Sequence, residues 1–153
     1  EQSEIWGVFR VARRAKPIKP SIHEKGKTIN ISGGHNGYER QQRGRIHSRS
    51  IEVANHSWSI KDRIEGNGSC LIENYIHLHP DFTAAIDKNK IALSNSNGEL
   101  CAEISFSGQV EVAIEDNEWY PEFGNRISNS VIVFSSQTQL PFEMEYNICK
   151  YLQ

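Results

Sequence analysis

Apolar and polar positions alternate along most of this chain with a period of two, the spacing of a β-strand with one covered face. The clearest run is Ile46 to Val53, where His47, Arg49, Ile51 and Val53 fall on one face. Trp58, Ile60, Asp62 and Ile64 form the inner face of the next strand. Asn67-Gly68 predicts a hairpin turn into Cys70 to His79. There Cys70, Ile72, Ile76 and Leu78 lie on one side, and Tyr75, His77 and His79 on the other. Upstream, Trp6 to Val11 and Lys27 to Ser32 read as strands. Between them Lys16-Pro-Ile-Lys-Pro20 breaks the pattern, since neither proline can donate to a ladder. Gly33-Gly34 and Asn36-Gly37 predict turns around His35.

Shorter strands follow at Lys90 to Ser94, Leu100 to Phe106, Val110 to Ile114 and Val131 to Ser135, with tight turns at Asn95 to Gly98 and Ser107-Gly108. Phe142 to Lys150 alternates again, with Phe142, Met144, Tyr146 and Ile148 against Glu143, Glu145 and Asn147. Short alternating strands with frequent turn signals predict an all-β fold, an antiparallel β-sandwich. The 153 residues read as one domain with no internal repeat.

Composition supports this reading. Eighteen Ile and seven Val stand against six Leu and eight Ala, so strand formers dominate helix formers and a helical bundle is excluded. No apolar run reaches eighteen residues, so no transmembrane helix is expected. No segment reads as a signal peptide, and the absence of an initiator Met before Glu1 predicts a processed product or a cut piece. The three cysteines, Cys70, Cys101 and Cys149, are too few and too widely spaced for a disulfide framework. They are expected as buried free thiols, with one disulfide possible.

The net charge of -2 hides an asymmetry. Residues 1–63 carry thirteen Lys or Arg against six Asp or Glu, and residues 64–153 carry four against thirteen. A basic half attracts a polyanion such as nucleic acid, acidic polysaccharide or anionic membrane, unless the two halves pair across one fold. No nucleic-acid-binding module accompanies it, so nucleic acid is not expected as a partner.

Two clusters carry candidate chemistry. His77-Leu-His79-Pro-Asp81 sets two imidazoles on one strand face near a carboxylate, a ligand set zinc accepts, against the alternative of hydrogen-bonded strand residues. Gly33 to Tyr38 is followed by Arg40, Arg43, Arg45, His47 and Arg49. Arginine forks suit carboxylate or sulfate, and a tyrosine beside Arg or His is a candidate acid or base. The alternative is a hairpin whose arginines are solvated or paired with the acidic half. Inward-facing His47 and Arg49 are read as an internal polar network. His23 and His56 are read as surface residues. No dinucleotide or P-loop fingerprint and no nucleophile elbow is present.

Taken in order, these residues resemble one family. Trp6-Gly-Val-Phe9-Arg10-Val, His35-Asn-Gly37-Tyr38, Ile46-His47-Ser-Arg49-Ser-Ile51, Trp58-Ser-Ile60-Lys-Asp62, His77-Leu-His79-Pro80, Trp119-Tyr-Pro-Glu-Phe123-Gly124 and Leu140-Pro141 are similar to successive motifs of the heparinase II/III-like proteins. The resemblance implies the C-terminal sandwich, of super-sandwich type, of a polysaccharide lyase whose N-terminal α/α toroid is absent here. Such lyases cleave uronate-containing glycans, glycosaminoglycan or alginate, by β-elimination in bacteria. Their zinc ligands and catalytic groups would precede Glu1. The chain alone is therefore expected to be inactive, with no catalytic residue and no metal or cofactor of its own. If it touches glycan, Tyr38, Arg40 and Arg43 are the expected substrate-binding residues. Acidic polysaccharide and the toroid are the expected partners, self-association through exposed sandwich surface is an option, and the location expected is periplasmic or extracellular. The rivals are a stand-alone acidic-glycan-binding module and a purely structural sandwich.

Overall fold

The computed structural model describes residues 4–5, 11–39 and 44–151, with side chains from Arg14 onward. The fold is all-β and antiparallel, a β-sandwich, with no helix among the described residues. The first strands are β1 (Glu4–Ile5), β2 (Val11–Arg13), β3 (Pro17–Lys25), β4 (Thr28–His35), β5 (Ile46–Ala54) and β6 (Ser57–Glu65). Then come β7 (Ser69–His77), β8 (Phe82–Asp87), β9 (Lys90–Asn95) and β10 (Leu100–Ser107). The last are β11 (Glu111–Trp119), β12 (Ile127–Gln139) and β13 (Phe142–Lys150). They fall into two compact units, Glu1–Cys70 with Thr138–Glu145, and Leu71–Gln137 with Tyr146–Gln153. β1 and β2 pair as a two-stranded ribbon, and the predicted Trp6 to Val11 strand falls largely outside the described residues.

In the first unit the strand order is β3-β4-β5-β6 and then the start of β13. A two-residue turn at Asn55-His56 joins β5 to β6, with Asn55 at φ 50°. That turn fixes the register, so His47 faces Ile64, Arg49 faces Asp62, Ile51 faces Ile60 and Val53 faces Trp58. The same-face set read from periodicity is the observed one. Ile60, Phe142 and Met144 are buried on this unit's covered side, and Asp62 is buried with them. Toward β3 the cover thins: Ile22, Ile29 and Ile31 stay exposed.

Three sequence expectations change here. Pro17 and Pro20 lie inside β3 rather than between strands, because β3 is the sheet edge, where a missing N–H breaks no ladder bond. The pairing of β3 with β4 slips between Ile18 and Ser21, where Lys19 takes φ 44°. Gly33 and Gly34 do not turn the chain but sit within β4. A Cβ on Gly34 would lie 2.7 Å from the His47 carbonyl oxygen, so glycine here permits close approach of two strands. Asn67-Gly68 does not close a hairpin: β6 pairs with β5, whereas β7 pairs with β12.

The second unit contains the order β13-β10-β9-β8 and a three-stranded sheet β11-β12-β7. β8, β9 and β10 form a meander, the last two joined by the expected turn, where Asn95 Oδ1 accepts from the Asn97 and Glu99 amides. Val131, Ile132, Val133 and Phe134 are buried in succession, so β12 is covered on both faces and reads as a continuous apolar run. Phe134 meets Phe106 edge-on at 5.3 Å and stacks on Tyr146 at 5.7 Å. Ile91, Ile104 and Ile132 are fully buried around them, each contributing about 1.5–3 kcal/mol by leaving water. All three cysteines are free thiols, but Cys70 and Cys101 are half-buried and Cys149 is exposed, not buried as expected. Cys149 is out of phase with Phe142, Met144 and Tyr146, which turns it to solvent.

Candidate functional site

The first unit holds one buried carboxylate, Asp62 of β6, among the described residues. Its side chain is 5% exposed. Arg49, directly opposite on β5, donates from Nε at 2.7 Å to Oδ1 and from Nη2 at 2.8 Å to Oδ2. That is a bidentate fork, the strongest geometry for a guanidinium and a carboxylate. The His47 Nε2–H donates to the same Oδ1 at 2.6 Å. Burial by itself would raise the Asp62 pKa, but the hydrogen bonds from His47 and Arg49 outweigh it, so the carboxyl stays below the usual range and ionised.

From Asp62 the bonds run outward to a turn. His47 Nδ1 accepts from His35 Nε2 at 3.2 Å, across the β4–β5 pair where His35 faces His47. His35 Nδ1 accepts the Gly37 amide at 3.2 Å. Each ring then has one nitrogen that must accept and one that must donate, which sets both tautomers. The bonded order is Gly37 N–H, His35, His47, Asp62, with both imidazoles neutral. Burial first, and the nearby His47 second, hold the His35 pKa below the ordinary imidazole value.

Tyr38 follows Gly37 in this turn and is half-buried, its ring 5.3 Å from the His35 ring. Asn36 anchors the turn base: its Oδ1 accepts the Lys16 amide at 2.8 Å and its Nδ2 donates to Glu39 at 3.0 Å. Of the expected substrate-binding residues the structure thus places Tyr38. Arg40 and Arg43 lie outside the described residues. The expected inner network of His47 and Arg49 is present. Its anchor Asp62 and its outer member His35 were not joined to it from sequence. The signal was available in the two-residue turn at Asn55-His56, which fixes Arg49 opposite Asp62.

The second candidate does not assemble. His77 ends β7, bonds Asn117 at 3.2 Å and stacks on Tyr75. His79 lies beyond the strand, pairs with Asp81 at 3.3 Å and packs on Trp119 at 4.8 Å. No three His, Cys, Asp or Glu side chains among the described residues are placed to share a metal ion. His23 and His56 are exposed, as expected.

Three surface features escaped the sequence reading. Arg14, Lys16, Lys19, Lys25 and Lys27 are all exposed on or beside edge strand β3, and none makes an ion pair among the described residues. A shallow groove of about 310 Å³ starts at Lys19 and crosses Ser32, Ser48 and Ser50 to Lys61 and Arg63. Glu143 neutralises the far end of that groove by pairing with both Lys61 and Arg63. In the second unit, Tyr120 and Phe123 stand exposed on the β11–β12 connection, Phe123 fully so.

The family described as Heparinase II/III-like, C-terminal matches residues 1–147. No curated protein sequence matches the chain significantly. Among solved structures, the heparan sulfate lyase HepC from Pedobacter heparinus superposes with a TM-score of 0.74 at 15% identity over 92% of this chain. A heparinase III structure gives 0.69 at 16% identity over 90%. A 4-alpha-glucanotransferase from Thermococcus litoralis gives 0.56 at 9% over 86%, a likeness of fold alone. This chain spans only 22% of the HepC chain and 21% of the heparinase III chain. With its match running from the first residue into the last strand, the chain belongs to the heparinase II/III-like C-terminal domain family.

Proposed function

We propose that this chain is the C-terminal sandwich of a polysaccharide lyase acting on uronate-containing acidic glycan, heparan sulfate being the substrate class of its structural relative. The observation that carries the reading is the family match over residues 1–147. In such a reaction a base removes the C5 proton of the uronate and the C4–O bond breaks. A C4–C5 double bond forms, and the leaving oxygen takes a proton. The carbanion is accessible only when the uronate carboxylate is neutralised. In this reading the proton-transfer groups, and any zinc, sit on residues outside this chain. The chain alone holds glycan without cleaving it. The whole protein works outside the cytoplasm, where such glycans are found.

The exposed cations of β3, with Tyr38, Arg40 and Arg43 next in sequence order, support a glycan-facing edge. Lys16 links the two regions, since its backbone bonds Asn36 of the Tyr38 turn. The test is alanine substitution of Tyr38, Arg40 and Arg43, singly, in the full-length protein. Weaker heparin binding with a reduced salt dependence for the two arginine variants is expected. Unchanged affinity in all three removes this turn from the glycan surface. A stand-alone binding module predicts the same salt-sensitive binding but no cleavage by any length of the protein.

A further inference from the structure

We propose that His35 is a positioning residue for the turn carrying Tyr38, and that it holds the turn only while the His35–His47 pair is neutral. The proposal rests on the reading of that turn as glycan-facing. The bonded order leaves no room for a second proton. Gly37 N–H points at His35 Nδ1, His35 Nε2–H at His47 Nδ1, and His47 Nε2–H at Asp62. An added proton on His35 Nδ1 faces the Gly37 N–H. An added proton on His47 Nδ1 faces His35 Nε2–H, unless the His35 proton moves to Nδ1, where it again opposes Gly37. Every arrangement sets two N–H groups against each other and breaks one bond that holds the turn.

The charged and titratable groups around the pair are few. Arg49 and Asp62 face it from β5 and β6 and bind each other. Tyr38 and Glu39 lie in the turn, with Arg45 just before β5 and Lys16 just before β3. The start of β13 brings Phe142 and Met144, both buried and uncharged. The lowered His35 pKa agrees in sign. A neutral ring favoured by folding keeps the turn closed above the ordinary imidazole range, and the hold is lost as pH falls through and below that range.

The consequence runs against simple electrostatics. Protonating histidines adds positive charge and should tighten a polyanion, whereas release of the turn loosens it. The test uses the full-length protein and two variants. In His35→Asn the side-chain oxygen still accepts the Gly37 amide but does not titrate. In His35→Phe the ring remains and the acceptor is gone. Hydrogen exchange of the peptide spanning the turn, corrected for the intrinsic pH dependence, is followed from pH 7.5 to 5 alongside heparin affinity at constant ionic strength. The expectation is a loss of protection of about two- to tenfold on acidification in the wild type, the equivalent of one hydrogen bond. Protection should stay high in His35→Asn and low in His35→Phe at every pH. Heparin affinity of the wild type should fall relative to His35→Asn over the same range. Superposed wild-type and His35→Asn profiles in both readouts overturn the proposal. Exchange that titrates while heparin affinity does not would establish His35 as setting the turn and overturn the glycan role of the turn itself.

Discussion

Replacing Asp62 by Asn keeps the shape and removes the charge, and its cost follows from the contacts. Three hydrogen bonds end on the carboxylate, two from Arg49 and one from His47. A hydrogen bond to a charged group contributes about 1.5–3 kcal/mol. Arg49 is 40% exposed, so its guanidinium regains water and the loss on that side is partial. An Asn oxygen in the Oδ1 place still accepts from Arg49 Nε and His47, but its NH2 then opposes Arg49 Nη2, and all three bonds lose their charge. The expected net cost is about 2–4 kcal/mol, near the lower end for breaking a buried pair. For a chain of this length that corresponds to a melting point about 5–12 °C lower.

The pH dependence separates this cause from general damage. A carboxyl whose folded pKa is depressed stabilises the fold above its unfolded pKa, about 4, and loses that contribution as pH falls through the folded value. Asn does not titrate. Denaturant titration of wild type and Asp62→Asn should therefore show a full gap at pH 7.5 that narrows below about pH 4. A gap under about 0.5 kcal/mol at neutral pH, the range of an ordinary surface substitution, would refute the reasoning. So would a gap that stays constant into acid.

Other substitutions test neighbouring claims. Gly34→Ala should push β4 from β5 at the point of closest approach, lengthening the His35–His47 contact; it should destabilise by about 1–3 kcal/mol in thermal melts and abolish protection of the Gly37 amide. Phe134→Ala should cost about 3–5 kcal/mol by chemical denaturation, because the ring is fully buried between Phe106 and Tyr146. Of the three thiols, Cys149 should react first with a water-soluble thiol reagent on the native protein, and equal rates at Cys70 and Cys101 would contradict its exposure.

The legible parts of the fold were those governed by local pattern. β5, β6 and β13 came from alternation, and the β9–β10 hairpin from its Asn-Gly turn. The inner network was visible as His47 and Arg49 on one face. What pattern does not carry is sheet membership. β8 lacked enough apolar alternation to be read, and β3 was hidden by two prolines that only an edge position tolerates. Gly33-Gly34 mimicked a turn because a glycine needed for close backbone approach has the same sequence signature as one needed for positive φ. The link from His35 to Asp62 spans three strands, so it required two registers at once. The cationic edge was present in the composition as a basic half, and Arg14, Lys16, Lys19, Lys25 and Lys27 fall in one stretch of sequence, but that stretch was not read as a strand or as a sheet edge.

The most direct test of the functional account is cleavage itself. The full-length protein and the 153-residue chain are incubated in parallel with heparan sulfate, heparin and alginate, and the ultraviolet absorbance of the new C4–C5 double bond is followed. The account predicts unsaturated uronate from the full-length protein on at least one of these glycans, and salt-sensitive binding without product from the chain alone. Binding without cleavage by the full-length protein on all three, or cleavage by the isolated chain, would contradict it.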